Sequence, residues 1–300
     1  MIVGLVTLYN PAENQILNLE EIQKQVDVLI VCDNSKNDHS GKMPKGCKYS
    51  STLQNLGLSG AFNRVLMDPS FQWSPDDYII FFDQDSKIHS NHVINLIRDY
   101  EKCNSDDILV GCIGPAFYNT SNNKVEIPHK KEKFLQGVYR VKSIITSSML
   151  CKYKTLSEIG FWNEDVFLDM ADWDLCWRMQ DYGYQCLMTA NVLLTHSVGL
   201  GEKKIGPFSF RVGAPIREYY QIRDCLYLLG KSYTPLKFKL RFMAMLTLRS
   251  LIHIVAFDEK QRRMYYIKRG ILDFIKKKRG EFCEDDIPQV SNRGKDSWNL

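Results

Sequence analysis

The first half of the chain switches repeatedly between two hydrophobic periods, and that alternation limits the fold more than any other feature. MIVGLVTLY reads as a buried strand and stops at the Asn10-Pro11 breaker. LNLEEIQKQ then reads as a helix, VDVLIVCDNS as a strand with a polar end, and NLGLSGAFNRVLMD as a turn entering a helix. DDYIIFFDQDS, HVINLIRDYEKC and ILVGCIGPAF continue the series as strand, helix and strand. Strands separated by helices require a mostly parallel sheet covered on both faces. Such sheets bind ligands beyond the carboxyl ends of their strands.

The middle is less regular. VYRVKSIITSSMLCK (138–152) reads as one or two strands, LSEIG as a helix, and the segment around Trp173–Tyr182 as a helix ending at Gly183. QCLMTANVLLTHS reads as a strand running into a polar turn. Residues 231–280 carry 14 Lys or Arg against 3 Asp or Glu, a net +11 in a chain whose total is +4. This basic stretch reads as two or three amphipathic helices. The expected division is a catalytic domain over 1–228, a basic helical extension over 229–283, and a poorly ordered tail over 284–300.

The whole-chain charge of +4 is too small to indicate nucleic acid, and the basic stretch matches no nucleic-acid-binding motif. The nine cysteines lack CxxC or other metal-like spacing, so zinc is not expected and a reducing compartment is. No secretory signal and no run of about 18 uncharged apolar residues is visible. The expectation is a cytoplasmic protein whose basic helices either attach it peripherally at the inner face of the membrane or pack as a solvated hairpin on the catalytic domain.

Five clusters could carry chemistry. In FFDQDS, Asp83 and Asp85 flank Gln84 at the end of an aromatic strand. Their mutual repulsion calls for a cation, and hard oxygen ligands suit Mg2+ or Mn2+; the plainer reading is a solvated acidic turn. In FLDMADWDLCWR, Asp169, Asp172 and Asp174 crowd a helix start. The helix dipole accounts for one or two of them, and Trp173 with Trp177 for a packed face; a further carboxylate beside a metal site is a candidate general base. His196 ends an apolar run in LLTHS as a structural residue or a metal ligand. In NLGLSGAFNRV, Gly57 and Gly60 permit close backbone approach at a helix start. In PIREYYQIRD, Arg217, Tyr219, Tyr220 and Arg223 offer guanidinium groups and rings, for phosphate and sugar or as an ordinary amphipathic helix.

Taken in order, these segments resemble the family 2 (GT-A fold) glycosyltransferases, and within them the bacterial rhamnosyltransferase-like branch, from about residue 2 to 280. The resemblance is carried by VTLYNP, VCDNS, NLGLSGAFN, FFDQDS, ITSSML, FLDMADWDLCWR, HSVG, REYYQIRD and RGILDFIKKKRG. VTLYNP has one residue more between Thr7 and Tyr9 than the usual pattern. Ser148 stands where Gly is usual, Asp174 replaces Glu, and Asp224 replaces Asn.

The resemblance implies an α/β, Rossmann-like mixed sheet of the GT-A type with helices on both faces, followed by C-terminal amphipathic helices. It implies a nucleoside diphosphate sugar donor, with Thr7, Tyr9, Asp33, Asn55, Gly57, Asn63, Asp83 and Gln84 on the nucleotide side. Asp83, Asp85 and His196 would hold Mg2+ or Mn2+. Asp172 would be the catalytic base, with Asp174 as the second candidate. Trp173, Arg217, Tyr219, Tyr220 and Arg223 would lie on the acceptor or diphosphate side. The activity implied is an inverting transfer of L-rhamnose from dTDP-rhamnose to a saccharide acceptor, lipid-linked, in surface polysaccharide synthesis. The competing readings are another donor, UDP-galactofuranose or a UDP-hexose, and an inactive sugar-binding scaffold of the same fold. A nucleotidyl or phosphoryl transferase would want a GxxxxGK[ST] loop, and the chain has none.

Overall fold

The computed structural model describes residues 1–105, 108–119, 124–128, 131–196, 202–205, 208–211, 213–256 and 259–283. Its elements run β1 (Ile2–Leu8), α1 (Glu13–Gln23), β2 (Val28–Asp33), β3 (Lys48–Ser51), α2 (Gly57–Leu66), β4 (Tyr78–Asp83) and α3 (His92–Cys103). Then come β5 (Val110–Asn119), β6 (Lys124–Glu126), β7 (Glu132–Leu135), β8 (Val138–Arg140), β9 (Met149–Lys152), α4 (Tyr153–Glu158), α5 (Ala171–Asp181) and β10 (Gln185–His196). β11 (Glu202–Ile205), β12 (Phe208–Arg211), α6 (Arg217–Leu229), α7 (Leu236–Ala256) and α8 (Lys260–Ile275) complete the described part. The tail expected over 284–300 lies outside the described residues, as does the HSVG turn beyond His196.

The main sheet runs β3-β2-β1-β4-β9-β5-β10-β8-β7, with β6 on β5. β1 pairs in parallel with β2 and β4, β2 with β3, and β10 with β5. β9 enters between β4 and β5 antiparallel to both, and β8 and β7 follow antiparallel beyond β10. The sheet is therefore mixed, as the resemblance implies, rather than mostly parallel as the strand–helix alternation alone suggests. The reason is local: among the described residues between β5 and β9 there is no crossover helix to restore direction.

Alternation along the central strands feeds two cores. Val3 and Leu5 of β1, with Ile79 and Phe81 of β4, pack against α2, α4 and α5. Val6 and Leu8, with Ile80 and Phe82, pack against α1 and α3 on the other face. Each residue is at most 1% exposed, as period-two packing between two helical layers requires.

The C-terminal helices do not stand apart. α8 lies against α6 closely enough that a Cβ on Gly270 would sit 2.8 Å from the Tyr219 carbonyl oxygen. The Tyr219 hydroxyl donates to Asp273 at 3.0 Å, and Arg263 pairs with Glu218 at 3.2 Å. Arg223, 1% exposed in its side chain, donates to the Gly280 carbonyl at 2.7 Å. The REYYQIRD and RGILDFIKKKRG segments are thus two halves of one buried contact. At the start of α7, Phe238 packs on Trp177 at 4.8 Å between ring centres and reaches Trp173 at 6.2 Å.

Candidate active site

The carboxyl ends of β1, β2 and β4 meet at one edge, where Thr7 is in register with Asp83, and Leu8 with Asp33. The reversed β9 begins there too and delivers the Ser147 hydroxyl to Asp83 Oδ2 at 2.5 Å. Ser86 Oγ accepts the Asp83 N–H at 3.0 Å and lies 3.0 Å from Ser147 Oγ. Asp83 is thereby fixed in one orientation. Ser148 adopts φ +62°, the left-handed region that favours glycine, which accounts for Gly at this place in the resembling pattern. Its N–H donates to the Phe81 carbonyl at 2.7 Å, and its hydroxyl lies 3.0 Å from His92 Nε2.

Asp85, two residues on, is exposed and carries no hydrogen bond from the described residues. It opens into a cavity of about 430 Å³ together with Asp83, Gln84, Thr7 and Tyr9. Asn55, Gly57, Arg217 and Tyr220 line the same cavity from the other side. Gln84 Oε1 accepts the Tyr9 N–H at 2.8 Å and so ties the end of β4 to the end of β1. Gly57 is where two walls touch. At φ +72° its neighbour Leu58 donates its N–H to the Phe167 carbonyl at 2.8 Å, and a Cβ on Gly57 would lie 2.3 Å from that oxygen. Asn34, not singled out from sequence, holds this loop by donating to the Gly57 carbonyl at 2.9 Å and accepting from Leu56 N–H at 3.2 Å.

Several of the other expected residues do not line this cavity. Asp33 is buried, and both its oxygens are engaged: Ser35 N–H at 2.8 Å on one, Tyr49 OH at 2.7 Å and His39 Nδ1 at 2.8 Å on the other. Asn63 exchanges hydrogen bonds with the Trp162 backbone, both at 2.9 Å, and pins the loop before α5. Asp174 is fully buried, receiving Arg178 Nε at 2.8 Å, Tyr233 OH at 2.6 Å and Asn163 Nδ2 at 3.1 Å. Tyr219 and Arg223 face α8, whereas Arg217 and Tyr220 face the cavity. Arg217 Nη2 also meets Asp169 at 2.5 Å. Trp173 is 38% exposed at the start of α5. The His196 backbone closes β10 beside Asn119, and its side chain lies outside the described ones.

Asp172 differs from Asp174 in every respect that matters to proton transfer. Its carboxylate accepts only the N–H of Trp173, at 2.8 Å, among the described residues. Burial pushes it up to about 8, and the Cys176 thiol and the charges of Asp83 and Asp169 add to the rise against that hydrogen bond. Within electrostatic reach of Asp83, this carboxyl holds its proton at neutral pH in the metal-free chain, and once ionised it is a stronger base than an ordinary aspartate.

The all-oxygen set of Asp85 and Asp83 fits a small hard divalent cation. Three thiols, of Cys112, Cys176 and Cys186, do converge within 4.8 Å of one another in the core, although their spacing gave no sign of it. Cys112 and Cys186 are register partners on β5 and β10. Cys176 and Cys186 each donate to a backbone carbonyl, of Ile144 and Cys176, as packed core thiols do.

No known family model matches the chain. The chain is similar to GalNAc-T7, solved with UDP, GalNAc and Mn2+: TM-score 0.55, 12% identity, covering 92% of this chain and 56% of that one. The chain thus spans just over half the length of that protein. It is also similar to residues 1–349 of TarS from S. aureus, solved with UDP-GlcNAc: TM-score 0.56, 12% identity, covering 92% of this chain and 80% of that one. This is the GT-A fold. In sequence, the GT-A chain is 27% identical over 288 residues to the dTDP-rhamnosyl transferase RfbF of Shigella flexneri, across 90% of its own length and 93% of the relative's.

Proposed function

We propose that this protein is a metal-dependent, inverting glycosyltransferase of family 2 that transfers L-rhamnose from dTDP-rhamnose to a saccharide acceptor. The observation that carries the reading is the convergence of Asp83, Asp85, Tyr9, Asn55 and Gly57 on one cavity at the carboxyl edge of the sheet. The similarity to the Shigella transferase along nearly the whole chain supports the donor.

Asp85, backed by Asp83, would hold Mg2+ or Mn2+, with His196 as a further ligand; the ion's charge would offset that of the donor diphosphate. Ser147 and Ser86 keep Asp83 in place, and Arg217 is positioned to meet a phosphate by releasing Asp169. Asp172 takes the proton from the acceptor hydroxyl as that oxygen attacks the anomeric carbon. The bond from that carbon to the diphosphate oxygen breaks on the opposite side, which inverts the centre. Asp174 holds α5 and takes no proton.

The acceptor is a lipid-linked saccharide met at the cytoplasmic membrane surface. Leu236, Leu240 and Met243 lie at i, i+4 and i+7 on α7 and are more than half exposed, beside the exposed Lys237 and Arg241. An apolar stripe edged by cations suits an anionic bilayer surface. No helix among the described residues is long and apolar enough to cross a membrane. The 1–228 segment would be the catalytic unit, and 229–283 its membrane-facing extension.

The test is turnover by purified protein of dTDP-rhamnose, UDP-galactofuranose and UDP-hexoses, with Mn2+ or with chelator, beside Asp85→Ala. Metal-dependent turnover of dTDP-rhamnose above the others, lost in Asp85→Ala, is expected. Turnover indifferent to chelator and to the substitution would refute the metal role, and preference for another donor would refute the sugar.

A further inference from the structure

A segment from the far end of the described chain reaches Asn55, a residue that lines the proposed nucleotide cavity. It is anchored on both sides. Gly280, at φ +77°, gives its carbonyl to Arg223 Nη1 at 2.7 Å. Phe282 is 7% exposed against Tyr219, Tyr220 and Tyr266, and its N–H donates to the Tyr220 hydroxyl at 3.0 Å. Glu281, between these anchors, is thereby set beside residues more than 200 positions earlier. Its Oε1 accepts Asn55 Nδ2 at 3.4 Å, and its Oε2 lies 3.9 Å from Lys36 Nζ. Its charge raises the Tyr9 phenol, second to burial. A second cavity of about 910 Å³ lies next to the first, and Lys36, Asn55 and Glu281 all line it. Asn55 lines both cavities.

We infer that Asn55, Glu281 and Lys36 read the base of the nucleotide and select a diketo pyrimidine, uracil or thymine. The inference rests on the proposed use of a nucleoside diphosphate donor. Such a base shows a carbonyl, an N–H and a carbonyl along its pairing edge. The protein gathers the complementary kinds of group around Glu281: an amide N–H from Asn55, the carboxylate itself and an ammonium from Lys36. Asp33, the carboxylate of β2 expected on the nucleotide side, already accepts three hydrogen bonds from the protein. Glu281, two long contacts away from its neighbours, has capacity for a shorter one. Cytosine puts an amino group where one carbonyl would be and a bare nitrogen where the N–H would be. Glu281 would then face a lone pair, and a desolvated acceptor without a donor is costly.

Calorimetric titration of the full chain with UDP, dTDP, CDP and ADP in the presence of Mn2+ tests this, using wild type, Glu281→Ala and Glu281→Gln. Wild type should bind UDP and dTDP roughly ten- to a hundredfold more tightly than CDP or ADP, the span set by one unsatisfied acceptor. Glu281→Ala should lose most of that preference through weaker UDP and dTDP binding, with CDP unchanged. Glu281→Gln, which keeps the shape and one acceptor, should fall between. Equal preference in all three proteins, or no preference in wild type, would overturn the inference while leaving the donor site standing. No nucleotide binding to wild type at all would overturn the donor-site reading and this inference with it.

Discussion

Asp172 and Asp174 lie two residues apart on α5, and replacing each by Asn should give opposite phenotypes. Asp174→Asn removes the counter-charge of Arg178, whose Nε–Oδ2 contact is 2.8 Å with the carboxylate fully buried. The guanidinium keeps only the Ile159 carbonyl, on Nη1 at 2.8 Å, and its Nη2 is already without a partner. Breaking one side of a buried pair costs about 3–5 kcal/mol. For a chain of this size that lowers Tm by roughly 10 °C. Asp172→Asn should cost little stability, because a carboxyl raised by burial to about 8 is replaced by an amide that never ionises. The sign follows from linkage. The native carboxyl holds its proton up to about pH 8, against 3.8 for an unperturbed aspartate, so wild type loses the associated stability as pH rises through that window. The Asn variant lacks that slope, and its Tm relative to wild type should climb with pH. Turnover should behave the other way round: Asp172→Asn should lose about 10²–10⁴-fold, the usual contribution of a general base. Thermal unfolding in chelator at pH 6 and pH 9, with donor turnover in Mn2+, reads all four quantities. An Asp174→Asn protein with wild-type Tm and no turnover, beside an active Asp172→Asn protein, would refute the assignment.

The pH dependence of kcat/KM in saturating Mn2+ should show one rising limb with its midpoint below the metal-free value of about 8, because a cation beside Asp83 removes part of the repulsion that raises Asp172; a rate that falls between pH 6 and 8 would contradict this. Gly57→Ala should be severe, since its Cβ would lie 2.3 Å from the Phe167 carbonyl oxygen at a φ of +72°. A loss above about 2 kcal/mol, combining left-handed backbone strain with the displaced wall, is expected together with weakened dTDP binding, read by Tm and calorimetry.

Much of the site could be read from the order of residues because strand ends are legible. An apolar run with period two that stops at Asp83, or a TLYN segment that stops at a proline, declares both an element and the edge where it ends. Facing direction is harder. Tyr219 and Tyr220 are neighbours in sequence, yet about 100° apart around α6 one meets Asp273 of α8 and the other the cavity. The same geometry, applied to Asp172 and Asp174, puts them on opposite sides of α5, so the two carboxylates meet different surroundings. Sheet direction was hidden too. Nothing in ITSSML says that its strand runs backwards, yet only the reversed β9 brings Ser147 to Asp83. Glu281 was beyond reach for a different reason: its neighbours Asn55 and Lys36 come from the opposite end of the sequence, and no local pattern encodes that meeting.

The Trp173–Trp177 pair, with ring centres 6.0 Å apart and planes at 74°, gives the protein its own optical probe. Indoles so close and so inclined couple their excited states and leave a signed feature in near-ultraviolet circular dichroism. One ring follows Asp172 directly in the chain and the other packs on Phe238 at the foot of α7. Under the proposed function, a saccharide settling beside Asp172, or a bilayer drawing on α7, would each tilt one indole against its partner. The same two rings would then report, without any label, whether binding at α5 and at α7 are felt by each other.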